Sequence, residues 1–135
     1  MKFLKSQEDF DALGIKHFKA KEFACKCCGD LRISTELVIL LDNIREALGM
    51  PLVVNSGYRC RLHNEEVGGS PSSSHLKGLA VDLKVPTSRI RFLLLRALLS
   101  SGIERIGLGK DFIHVDLDPD KPPKVAWHYE EKWRP

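Results

Sequence analysis

Apolar residues recur along this chain at two different periods, and the changes of period mark out its elements. Over residues 36–48, Leu37, Leu40, Leu41, Ile44 and Leu48 fall at three- and four-residue intervals, which gathers them on one face of an α-helix. Ser34 or Thr35 precedes this run as an N-cap, and Gly49 closes it. A second helix is predicted over 88–99, with Thr87 or Ser88 as cap and Gly102 after its end. Residues 79–85 (Leu-Ala-Val-Asp-Leu-Lys-Val) read instead as an aliphatic strand stopped by Pro86. Residues 105–108 and 112–117 form a predicted hairpin around Gly109-Lys110-Asp111. Shorter strands are expected at 52–55 and 125–129, and one or two helical turns at 61–67. Residues 1–28 read as an N-terminal arm holding one short helix, and 29–135 as the core of a single domain.

Helices and strands in this order do not alternate as βαβ units. The expected class is therefore α+β, a small antiparallel sheet with its helices on one face. The other face is then available for chemistry. Side chains alternate along a strand, so His114 and Asp116 share one face of theirs, while Asp82 shares a face with Ala80 and Lys84. An aspartate amid apolar strand residues needs a reason, because a buried charge is costly unless it is paired or binds a metal.

A metal supplies that reason. His75 lies just before the first of these strands, in a stretch loosened by Gly68, Gly69, Pro71 and Gly78. Such a loop can fold His75 over the face that carries Asp82. If the two strands are neighbours, His75, Asp82 and His114 converge, and two imidazoles with one carboxylate suit zinc. Three protein ligands leave a fourth position open, which distinguishes a catalytic zinc from a structural one.

The same residues carry a family resemblance. Ser73-x-His75-x-x-Gly78-x-Ala80-x-Asp82 matches in full the SxHxxGxAxD signature of the zinc D-Ala-D-Ala carboxypeptidases. That family includes the L-alanyl-D-glutamate endopeptidases of phage lysins, the D-Ala-D-Ala dipeptidases and the hedgehog fold. The chain also resembles it in Ser56-Gly57-Tyr58-Arg59, His63-Asn64, Val67-Gly68-Gly69-Ser70 and Phe112-Ile113-His114-Val115-Asp116, with weaker similarity from near His17. The resemblance implies a hedgehog/DD-peptidase fold with the zinc site on the sheet face away from the helices. It implies His75, Asp82 and His114 as zinc ligands. The implied activity is zinc-dependent hydrolysis of peptide bonds in peptidoglycan stem peptides or cross-links. The alternative is a zinc-containing wall-binding module, or an envelope or phage structural protein, that no longer catalyses.

Amide hydrolysis also needs a base. Asp111 leads, because several branches of the family hold their catalytic carboxylate in a D/E-x-x-H pattern. Strict alternation turns Asp111 away from His114, so the hairpin turn or a bulge must re-aim it. Gly-Lys-Asp is also ordinary turn chemistry. Asp116 is the second candidate, and it could instead orient a ligand histidine. Arg59 matches the family's substrate-facing arginine and is expected to stabilise an oxyanion or clamp a substrate carboxylate. Ser73 is expected to hold the loop or touch substrate. His63 and His128 are assigned no ligand role.

Composition narrows the partners. The chain has 135 residues, 43% hydrophobic and 29% charged, with a formal net charge of +3. Its Lys and Arg residues are scattered, unlike the clustered footprint of a nucleic-acid binder, and a weak positive field favours an anionic polymer such as a cell wall. No apolar run is long enough to span a membrane. Residues 1–10 hold no secretory apolar segment, so synthesis in the cytoplasm is expected, with access to the wall after phage-mediated release. A monomer is expected. The four cysteines, Cys25, Cys27, Cys28 and Cys60, are read as reduced thiols ahead of a second metal site, because Cys-x-Cys-Cys is not a standard zinc spacing.

Overall fold

The computed structural model describes residues 2–129. Its order is β1 (Phe3–Leu4), α1 (Gln7–Leu13), a 3₁₀ turn (Ala20–Glu22), β2 (Ile33–Ser34), α2 (Thr35–Leu48), β3 (Val54–Ser56) and α3 (Arg61–Glu66). A second 3₁₀ turn (Ser74–Lys77) then leads to β4 (Ala80–Lys84), α4 (Ser88–Ser100), β5 (Arg105–Leu108), β6 (Phe112–Asp116) and β7 (Val125–His128). The class is α+β, as expected from the sequence.

Both long helices begin and end on the expected chemistry. Ser34 accepts the Leu37 N–H at the start of α2, Thr87 accepts the Ile90 N–H at the start of α4, and Gly49 closes α2 in the left-handed region. Leu37, Val38, Leu41 and Ile44 of α2 and Leu94 and Leu98 of α4 are buried in one apolar core. Val81, Leu83, Ile106, Ile113 and Val115 complete it from the sheet. Phe10, Phe18 and Phe23 bring the N-terminal arm into the same core. The arm is also tied down by the buried Asp42 carboxylate, which accepts the backbone N–H groups of Lys16 and His17.

The main sheet runs β3-β4-β6-β5-β7, and a separate two-stranded ribbon pairs β1 with β2. Its pairs are antiparallel except the last, since edge strand β7 runs parallel to β5. The small antiparallel sheet expected from the sequence thus carries one parallel pair at its edge. The exception follows from the connection. β6 ends beside the start of β5, and a loop that stays at this end can only send β7 along β5 in the same direction. Strand β3 carries a register shift between Val54 and Ser56. The shift lets Val54 pair with Leu83 and sit in the core, while Ser56 pairs with Asp82 on the far face. Among the described residues no helix is long and apolar enough to cross a membrane.

Candidate metal centre and cleft

One row of residues crosses the sheet on the face away from the helices. Ser56 pairs with Asp82, Asp82 with His114, His114 with Gly107, and Gly107 with Trp127. The sequence alternation placed Asp82 and His114 on strand faces, and the antiparallel β4–β6 register sets them directly opposite each other. His75 arrives from the 3₁₀ turn above. Ser73 caps that turn by accepting the His75 N–H at 3.2 Å. Gly78 ends it at φ +72°, with its α-carbon against Arg32, where a Cβ would lie 2.1 Å from the carbonyl oxygen. The glycine of the Ser-x-His-x-x-Gly pattern is thus required twice, by backbone conformation and by space.

Candidate ligand atoms from His75, Asp82 and His114 all lie within 4.8 Å of one another. The outer nitrogen of each ring is already committed. His75 donates Nδ1–H to the Gly57 carbonyl at 2.7 Å, and His114 donates Nε2–H to Asp116 Oδ2 at 2.8 Å. Their inner nitrogens, His75 Nε2 and His114 Nδ1, both point at Asp82 Oδ1, at 3.2 and 2.9 Å. In neutral imidazoles those inner nitrogens carry lone pairs, and lone pairs aimed at a carboxylate oxygen repel it. A cation between them removes the conflict. Ring N–H groups held from outside by a carbonyl and a carboxylate are also the usual support of metal-bound histidine. The donor set, two nitrogens and an oxygen, fits zinc.

A protonated imidazole turns that repulsion into a hydrogen bond, so the three groups bias one another's protonation. Burial works to raise the Asp82 carboxyl, but the hydrogen bonds to His114 and His75 outweigh it and hold the group well below the usual carboxylate range. Burial would lower His114, and its bonds to the Asp116 and Asp82 carboxylates instead push it up.

The centre opens into a cleft of about 320 Å³ whose walls include Arg59, Ser73, Arg105, Lys121, Trp127 and Tyr129. A larger hollow of about 600 Å³ beside α2 brings no set of candidate ligands together among the described residues. Arg59 is fixed by Nε–H to Ser56 Oγ (2.9 Å) and Nη1–H to Asn64 Oδ1 (3.2 Å), and it reaches Asp82 Oδ2 through Nη2 at 3.3 Å. It therefore holds the Asp82 oxygen that the histidines do not face. Asp116 is almost fully buried, and its second oxygen accepts from Arg105 Nε (2.7 Å) and the Asp118 N–H (3.1 Å). The structure does not bring Asp111 to this group. It lies exposed in the turn between β5 and β6, outside the residues that wall the cleft.

Sequence reasoning missed Trp127, Tyr129 and Arg105. Trp127 and Tyr129 reach the cleft because β7 returns parallel to β5, which no local pattern announces, and Arg105 reaches it from the start of β5, held against Asp116 of β6. Trp127 and Tyr129 are two residues apart and both wall the cleft, and His128 between them does not. Gly107 makes room for them. A Cβ there would stand 2.8 Å from the indole Nε1 of Trp127 and 2.7 Å from Tyr129 Cε2. With no side chain in the way, the indole lies over the strand with its centroid 5.5 Å from that of His114.

No curated protein matches the chain. A family model described as Peptidase M15 matches residues 16–116, the span from the arm through β6.

Proposed function

We propose a function from one fixed premise, that the chain belongs to the peptidase M15 family: it is a zinc-dependent peptidase that hydrolyses peptide bonds in the stem peptides or cross-links of bacterial peptidoglycan. The observation that carries this reading is the convergence of His75 Nε2 and His114 Nδ1 on Asp82, with both outer ring nitrogens pinned. Enzymes of this family use zinc, and these three side chains would hold it. When bound, zinc supplies a Lewis acid that polarises a carbonyl and makes water nucleophilic near neutral pH.

The chain's own residues do the rest. Asp116 fixes the tautomer and ring plane of His114, and Gly57 does the same for His75. Arg59 spends three of its five N–H directions on Ser56, Asn64 and Asp82. The others remain on a wall of the cleft for a substrate carboxylate or for the carbonyl oxygen as it gains charge. Burial raises the Tyr129 phenol, which keeps its proton and offers a further donor. The cationic Arg59, Arg105 and Lys121 on the walls suit a peptide rich in carboxylates. Asp116 has both oxygens engaged and orients rather than accepts a proton. The base is then Asp111, which needs the turn to swing toward the cleft when substrate binds.

One observation favours the second reading, a wall-binding module: among the described residues, the only carboxylates on the cleft walls are Asp82 and Asp116. One experiment separates the two. Zinc-loaded protein is incubated with purified peptidoglycan, and new termini are identified by mass spectrometry, with His75→Ala as control. New amino termini made by the wild type alone support the peptidase. Binding to the wall without new termini supports the module.

A further inference from the structure

We propose that Cys25, Cys27, Cys28 and Cys60 form a second, structural zinc site, closed by four thiolates, that clamps the N-terminal arm to the loop behind the cleft. All four sulfur atoms lie within 4.8 Å of one another. Sulfurs at the corners of a zinc tetrahedron stand about 3.8 Å apart, given zinc–sulfur bonds of roughly 2.3 Å. Two of the edges are close to this: Cys25 to Cys27 is 3.7 Å and Cys27 to Cys60 is 3.3 Å.

Packing does not account for the cluster. A free cysteine is usually a small buried apolar residue. Here Cys25 is buried, but Cys27 and Cys28 are exposed. Exposed thiols that nevertheless converge from distant parts of the chain are arranged for one another. The backbone is arranged for them too. The Cys25 N–H donates to the Asp30 carbonyl (2.8 Å) and the Gly29 N–H to the Cys25 carbonyl (2.9 Å). These bonds fold the 25–30 segment into a tight knuckle with Gly29 at φ +78°. Backbone N–H groups also donate to the sulfurs, Cys60 to Cys25 and His63 to Cys60, both at 3.4 Å. Such bonds stabilise thiolates. A zinc ion with four thiolates carries a net charge of 2−, which Lys26 within the knuckle and Arg61 after the fourth ligand help offset. Sulfur ligands in this number select zinc or iron over hard cations.

The site would reach the cleft through one short loop. Cys60 follows Arg59, and the Tyr58 N–H donates to Phe23, two residues before Cys25. The same loop gives His75 its Gly57 acceptor. A clamp on Cys60 therefore steadies both the orientation of a candidate ligand and the arginine beside Asp82. All four thiols must release their protons when the ion binds.

The two sites fail separately, so the test can tell them apart. Full-length protein produced with zinc is desalted and its metal content measured. Two zinc ions per chain are expected in the wild type, one in His75→Ala, and one in the Cys27→Ser/Cys28→Ser variant. Should the serine variant not fold, cobalt in place of zinc decides in intact chains. Thiolates give cobalt an intense near-ultraviolet charge-transfer band that nitrogen and oxygen ligands do not, and the band should persist in His75→Ala. A single zinc lost entirely in His75→Ala, with all four thiols of the native wild type reacting freely with Ellman's reagent, would overturn the proposal. So would an intact mass lacking thiol hydrogens, which marks a disulfide instead.

Discussion

His75, Asp82 and His114 present two nitrogens and one oxygen from a sheet face and the turn above it, at the floor of a cleft. Cys25, Cys27, Cys28 and Cys60 present four sulfurs from a knuckle and a helix start, two of them at the surface. The clusters share the 57–60 loop and otherwise invert one another. In the first, every outer polar atom is held by a carbonyl, a carboxylate or Arg59, while one side stays open to the cleft. In the second, backbone N–H groups hold the Cys25 and Cys60 sulfurs, and the thiols of Cys27 and Cys28 complete the set of four. Three donors with an opening make chemistry possible, and four donors around an ion leave only structure. Rigid support of the side chains is common to both, so support alone does not mark a reactive centre.

The sharpest way to break the contrast is to remove one member from each set. His75→Ala should reduce peptidoglycan hydrolysis to background while the thermal midpoint, measured with zinc present, changes little. Cys27→Ser/Cys28→Ser should do the reverse, lowering the midpoint by about 5–10 °C and leaving measurable hydrolysis. Equal loss of stability in both would erase the distinction. Next in size is Asp111→Asn, expected to keep its zinc and lose about 100- to 10,000-fold in kcat. A wild-type rate would remove Asp111 as base. Asp116→Asn keeps the shape of the His114 partner but weakens its hold, and zinc affinity at the cleft should fall about 10- to 100-fold, read by competition with a chelator. The cysteine-bound zinc should not respond.

The smallest effect concerns acid. Burial would raise the Asp118 carboxyl, but the Ser74 hydroxyl and the Lys77 ion pair outweigh it and hold it below its ordinary value. A carboxyl depressed in the folded state contributes stability above its unfolded pKa, about 3.9, and loses it as pH falls through the folded value. Asp118 supports Ser74, the neighbour of His75, so this support belongs to the cleft side alone. Asp118→Asn should cost about 1–2 kcal/mol near neutral pH and flatten the decline of stability below about pH 4, in urea melts taken across that range.

The cleft cluster was legible in the sequence because its parts are local. Asp82 and His114 show themselves through two-residue alternation, and His75 through a glycine-rich approach to the same strand. Alternation was equally right about Asp111: the turn leaves it at the surface, and no bulge re-aims it. The cysteine cluster was not legible, because Cys-x-Cys-Cys reads as an incomplete site until the fold adds Cys60. The two-residue strands β1 and β2 escaped for a related reason, since Phe3–Leu4 and Ile33–Ser34 are too short to show a period and exist only as a pair. Trp127 and Tyr129 depended on the direction of β7, which is settled by where β6 ends.

The empty place over Gly107 gives the protein an optical reporter. Because no side chain rises there, the Trp127 indole rests with its centroid 5.5 Å from that of His114, and Arg105 lies 5.0 Å from the same ring. Indole emission responds to charge and to contact quenching at such range. The chain has two tryptophans, so replacing Trp133 with phenylalanine leaves Trp127 as the single fluorophore. Cation occupancy of the cleft, and the arrival of a peptide on its wall, then become readable in real time as changes in intensity and wavelength. Gly107→Ala, by displacing the ring, should silence that signal.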